Sequence, residues 1–230
     1  LKDVVHLNRV FAYLKRKPLK MTYKKVEHPW KLYVISDSSF KGEDQDALAM
    51  KSGIIALGDK YGPKLGDNNL QIIEFVSKKQ NRVCRSTFTA ELYAALDVVS
   101  LASVINLALT EVLTGCRSAS RMAEIQENGS NALEADLFLD ARSVFDSISA
   151  ADTKSTTDRL MHIHALKLKE ILAMRIAKRM IWVDTRDMLC DALNKGSVSR
   201  DAIRMACATG VWRIVNAFKC HVEARTKSET

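Results

Sequence analysis

The chain has 230 residues, 47% hydrophobic and 27% charged, with a net charge of +8 at pH 7. That balance excludes disorder and collagen, and the length fits one sizeable core with an appendage. The charge is uneven: residues 1–31 carry nine Lys/Arg against Asp3 and Glu27, a surplus of +7, and the remainder is nearly neutral at +1.

The first predicted element is a basic amphipathic helix over residues 2–15, with Leu7, Val10, Phe11 and Leu14 on one face and Pro18 ending the pattern. Its charge fits a polyanion partner through counterion release, and equally a solvated helix face. Lys17 to Pro29 reads as a linker. Leu32 to Ile35 is a short buried strand running into Ser36-Asp37-Ser38-Ser39, where turn chemistry is expected. Ser52 to Leu57 and Leu70 to Val76 are two further strands, joined by the Gly/Asn/Asp-rich loop Gly58 to Asn69.

After the basic run Ser77 to Arg82, a long apolar helix is predicted from Thr87 to Leu113, with Ser86 or Thr87 as N-cap. Its longest uncharged stretch, Val98 to Thr110, is broken by Ser100, Ser103 and Asn106 and falls short of the ~20 residues that span a bilayer, so no membrane partner is expected. Gly115 to Asn131 reads as a loop with room for a helical turn. A strand (Glu134 to Leu139), a helix (Ala141 to Ser149), a longer helix (Thr157 to Met174) and a strand (Lys178 to Val183) follow. Short helices at Arg186 to Asn194 and Ser199 to Ala208 close the order β-β-β-α-β-α-α-β-α-α. It implies an α/β fold with a mixed sheet, three antiparallel strands followed by parallel ones, and helices on its faces.

Four acids stand out by position: Asp37 at the end of the first strand, Glu91 one turn into the long helix, Asp140 at a strand-to-helix junction, and Asp191 in a closing helix. The ends of the first strand and the first parallel strand can lie side by side, which would make neighbours of Asp37 and Asp140. Clustered carboxylates repel unless a proton or cation lies between them, so such a group suits a hard cation, magnesium best. Two ions about 4 Å apart can activate a water and stabilise the leaving oxygen of a phosphodiester displacement. Each acid also has an ordinary reading: Asp140 as an N-cap, Asp37 as the start of an Asx-turn, Glu91 as a solvated first-turn acid, Asp191 as a surface residue.

The same residues carry a resemblance. Phe75-Val76-Ser77-Lys78-Lys79-Gln80 followed by Arg85-Ser86-Thr87-Phe88-Thr89-Ala90-Glu91-Leu92 resembles the W-S-S-K-K-Q…S-S-T-E-A-E-Y signature of the ribonuclease H domain in copia-type retrotransposon polyproteins. Leu32 to Gly42 resembles that family's opening strand, Lys51-Ser52-Gly53 its turn into the second strand, and Leu139-Asp140-Ala141-Arg142-Ser143 its D-N-x-S step. Met161-His162-Ile163-His164 is similar to its H-I-D segment. Trp182 to Lys195 is similar to V-P-T-x-D-x-x-A-D-x-L-T-K. The likeness runs in order from Lys31 to Lys195, and Arg9 to Lys15 resembles the end of the family's reverse transcriptase. The polymerase's Y-x-D-D is absent from this sequence.

The resemblance implies a ribonuclease H-like five-stranded sheet over residues 29–196, preceded by a reverse transcriptase tail (1–28) and followed by a helical tail (197–230). It implies hydrolysis of the RNA strand of RNA/DNA hybrids, with two Mg2+ ions, or Mn2+, held by Asp37, Glu91, Asp140 and Asp191. Asp187, one turn earlier, is the alternative fourth ligand. Hybrid specificity would come from 2′-hydroxyls on one strand and the DNA backbone on the other, with Lys78, Lys79, Arg82 and Arg85 as phosphate contacts or, alternatively, a solvated loop. The sequence departs from the pattern at Thr89 and Asn194, in a longer hairpin loop, and in lacking a His between Trp182 and Asp191.

An alternative is an inactive or repurposed copy that binds nucleic acid without cutting it. An integrase or transposase places its last Glu on a late helix, against the order here. Leu1 is not Met, and the chain is expected to be a segment of a longer product that includes the polymerase as partner. Five cysteines without C-x-x-C or Cys/His zinc spacing fit a reducing compartment, cytoplasmic, in virus-like particles or nuclear, and not secretion.

Overall fold

The computed structural model describes residues 2–16, 18, 20–40, 48–116, 118–151 and 159–223. Lys17, Lys41, Gly42 and the expected helix start at Thr157 lie outside them. In chain order the elements are α1 (Lys2–Arg16), β1 (Lys31–Ser39), β2 (Leu48–Gly58), β3 (Gly66–Val83), α2 (Thr87–Thr114), α3 (Ala119–Glu127), β4 (Glu134–Leu139), α4 (Arg142–Ser149), α5 (Arg159–Ala173), β5 (Arg179–Val183), a 3-10 turn (Thr185–Asp187), α6 (Asp191–Asn194), α7 (Asp201–Thr209), β6 (Val211–Ile214) and β7 (Phe218–His221).

The strands form one mixed sheet in the order β6-β3-β2-β1-β4-β5-β7. The β1–β4 and β4–β5 pairs are parallel and the others antiparallel. Among the described residues the expected five strands are therefore seven. The correction lies in the C-terminal segment, where the expected helical tail supplies one helix and two strands that pair with β3 and β5 at the sheet's two edges. Trp212 anchors β6: its indole is fully buried and donates to the Asp187 carbonyl at 2.9 Å.

Side chains alternate across β1 and split the core in two. Leu32 and Val34 face α2, α4 and α5, in a cluster with Leu96, Phe145 and Leu168. Tyr33 and Ile35 face the other side, with Phe138, Ile181, Leu189 and Trp212. Gly53 sits where β2 passes under α2: a Cβ there would lie 2.6 Å from a Val98 methyl, so only glycine permits this approach.

Helix α2 begins at the Ser86 cap and ends at Gly115, whose left-handed backbone (φ 67°) returns its N–H to the Glu111 carbonyl. It is long and apolar enough to cross a membrane, and here it packs on β1 and β2 as the central core helix. In contrast, α1 keeps its apolar face exposed: Leu7, Val10, Phe11 and Leu14 are all about half accessible.

Two further expectations change. Gly58 to Asn69 is not all loop, because β3 begins at Gly66. Lys51-Ser52-Gly53 is not a turn but the interior of β2.

Candidate metal centre

Strand register brings the first two acids together. Lys31 to Ile35 pair in parallel with Glu134 to Phe138, so Asp37 and Asp140 each lie two residues past the last pair, on the Ile35/Phe138 face. The third comes from α2. The Ser86 side chain accepts the Thr89 N–H at 3.1 Å, fixing the helix start beyond the end of β1, and Glu91 accepts the Ser38 backbone N–H. One carboxylate oxygen from each of Asp37, Glu91 and Asp140 lies within 4.8 Å of the others.

The ordinary alternatives for these acids do not hold in the fold. Asp37 is inside a strand, opposite Ser52, and fully buried rather than starting a turn. Glu91 is buried, not a solvated first-turn acid. The residue that caps α4 is Ala141, without a side-chain cap bond, so Asp140 is no N-cap. Asp191 is buried as well.

Burial pushes the Asp37 carboxyl up to about 8, with the Asp140 charge adding to the rise and Lys195 opposing it. Glu91 is driven well above the usual carboxylate range by burial and then by Asp37 and Asp140. Asp140 also rises through burial, against the pull of Lys195 and a hydrogen bond to Thr185. At an effective dielectric of about 20, two full charges 4 to 5 Å apart repel by roughly 3–4 kcal/mol. Three such pairs approach the whole stability of a domain, about 5–15 kcal/mol. These acids cannot all ionise without a cation. Three hard oxygen donors at this spacing fit a hard divalent ion of the magnesium class.

A second group closes the site from α6. Ser52 Oγ donates to the Cys190 carbonyl (3.1 Å), Cys190 Sγ to the Ile35 carbonyl (3.3 Å) and Ser77 Oγ to the Leu193 carbonyl (2.8 Å), tying this short helix to β1, β2 and β3. Asp191, Asn194 and Lys195 are thereby set beside Asp37. Asn194 Nδ2 donates to Asp37 Oδ2 at 2.7 Å, and Lys195 Nζ lies 3.3 Å from Asp37 Oδ1 and also bonds Asp191. Asp191 itself stands outside the close trio. The roles of Asn194 and Lys195 were not read from the sequence. The available signal was the i, i+4 spacing of Asp191 and Lys195.

The remaining expected residues divide. The Asp187 carboxylate accepts the N–H groups of Val215 (3.1 Å) and Asn216 (2.7 Å) and the Asn216 amide (3.1 Å), holding the turn between β6 and β7. Lys78, Lys79, Arg82 and Arg85 are exposed, but on an extension of β3 and the turn after it rather than in a loop. Lys79 shares the sheet face of Ser77, Ser52 and Asp37, whereas Lys78 pairs with Lys51 on the α2 face. Arg82 lies 5.0 Å from the ring centre of Tyr93, which meets His164 edge-on, so His164 packs rather than joining the acids.

No protein-family model matches the chain, and no curated protein matches it. Among solved structures, the NurA nuclease from Sulfolobus solfataricus is similar at 10% identity and a TM-score of 0.34 over 87% of this chain. The chain spans 62% of that nuclease's length.

Proposed function

We propose that this chain is a retroelement ribonuclease H of the copia type, joined to the tail of a reverse transcriptase, which hydrolyses the RNA strand of RNA/DNA hybrids in the cytoplasm or in particles. The observation that carries this reading is the convergence of Asp37, Glu91 and Asp140, remote in sequence, to within 4.8 Å. They occupy the positions at which the resemblance expects metal-binding acids.

In this reading Asp37, Glu91 and Asp140 hold the cation. A divalent ion there supplies Lewis acidity, making a nucleophile available from water at neutral pH and stabilising charge on phosphate oxygens. The protein's own contribution is positioning. The β1–β4 register and the Ser86 cap fix the three carboxylates before substrate arrives, and Asn194 and Lys195 hold both oxygens of Asp37. Lys79, on the same face, is the basic residue best placed for a phosphate of the bound hybrid.

The test is magnesium-dependent cleavage of a labelled RNA/DNA hybrid by the full chain and by Asp140→Asn. Cleavage by the wild type and loss of at least ~10^3-fold in the variant is expected, since removal of a metal ligand forfeits several kcal/mol. A wild-type chain that binds the hybrid and leaves it intact with Mg2+ and with Mn2+ would favour the non-cutting copy, and equal cleavage by both proteins would mark a contaminating nuclease.

A further inference from the structure

Lys195 reaches into the acidic site while its side chain stays partly exposed. Its ammonium contacts Asp37 at 3.3 Å and bonds Asp191, four residues back on α6, and its side chain is 27% exposed. The other Asp37 oxygen already accepts the Asn194 amide at 2.7 Å. On the resemblance, in which four acids hold two ions, a second divalent ion would draw on Asp37 and Asp191, the two carboxylates that the ammonium touches. The Lys195 backbone N–H donates to the Asp191 carbonyl at 2.9 Å, and α6 just before it is tied to the sheet by the Ser52–Cys190, Cys190–Ile35 and Ser77–Leu193 hydrogen bonds, so the side chain leaves from a held backbone.

We propose that Lys195 is a built-in cation that replaces the second divalent ion, so that this centre takes one metal ion, at Asp37, Glu91 and Asp140, with Asp191 serving to hold the lysine. The inference rests on the metal-centre reading above and narrows it. An ammonium supplies fixed positive charge without coordination chemistry. Lys195 would thus neutralise charge next to Asp37, and a single ion held by Asp37, Glu91 and Asp140 would supply the Lewis acidity. Asp191 is a positioning residue here, acting through Lys195.

The measurement is Mn2+ stoichiometry on the full 230-residue chain, from the loss of the free-Mn2+ electron paramagnetic resonance signal on titration. Lys195→Met removes the charge at similar volume, and Lys195→Arg keeps it, with urea midpoints checking that each variant folds. The expected result is about one Mn2+ per chain for wild type and Lys195→Arg and about two for Lys195→Met, where Asp37 and Asp191 are released to a second ion. Equal stoichiometry in wild type and Lys195→Met overturns the proposal. Should Lys195→Met not fold, the wild type decides: about two Mn2+ per chain overturns it, because ammonium and ion cannot share those oxygens. Absence of Mn2+ binding in every protein, wild type included, overturns the metal-centre reading itself.

Discussion

The structure buries acids in two places on the same strands, and treats them differently. On β4, Asp136 is fully buried and has a cation of its own: Arg179 on the neighbouring β5 donates to it through Nε at 2.8 Å and through a second nitrogen. Four residues on, just past the end of β4, Asp140 joins Asp37 and Glu91, and the lysine beside them, Lys195, contacts Asp37 and is also claimed by Asp191. A structural acid comes with its countercharge in place, by a two-pronged bond that satisfies both oxygens. The group short of positive charge instead has its carboxyl pKa values raised, and in the proposed function it takes its countercharge from a bound cation.

The sharpest way to break this comparison is to remove one member from each place. Arg179→Met strands Asp136 as an unpaired buried charge and is expected to cost about 3–5 kcal/mol in urea denaturation. Asp37→Asn in metal-free buffer is expected to cost nothing or to stabilise slightly, because repulsion with Asp140 and Glu91 is relieved. A large loss of stability in Asp37→Asn would place both regions in the same structural class.

The acid group also makes stability depend on pH. The Asp37 carboxyl, at about 8, lies above its unfolded value near 4, and Glu91 and Asp140 are raised in the same direction. The folded state therefore holds protons that the unfolded chain releases. The contribution is complete below about pH 4 and is lost as pH rises towards 8. Without metal, the melting temperature should thus carry a falling component between those limits, and added Mg2+ should raise it more at pH 8 than at pH 6. Equal Mg2+ shifts at both pH values would count against cation binding by these acids. The smallest effect distinguishes the two neighbouring lysines. Lys79→Gln should lower the salt slope of hybrid binding by about 1, and Lys78→Gln, on the opposite face, by less.

Asp37 and Asp140 were legible because each stands where an apolar run stops, after Leu32 to Ile35 and after Glu134 to Leu139, and Glu91 because it lies one turn into α2. What was hidden depended on distant pairing. Residues 77–83 are too polar and basic to read as strand, yet Lys78 and Lys79 pair with Lys51 and Met50 and extend β3 to Val83. Sheet context outweighs their modest strand propensity. The four-residue strands β6 and β7 carry almost no periodic signal, and they exist because the sheet edges at Gly66–Asn69 and Met180–Val183 accept them. Lys195 was visible as a letter of a motif, but its charge acquired meaning only once α6 folded back over β1.

The reach of β3 has a further consequence. Strand β6 covers its outer border only from Gly66 to Asn69, and beyond that no strand lies against it among the described residues. A sheet edge without a pairing strand is a template on which other chains can add and aggregate. Glu74, Lys78, Lys79 and Arg82, all exposed, stud the rim with charge. The same lysines that suit a phosphate backbone thus also discourage self-association, and neutralising several of them together would be felt first as lost solubility.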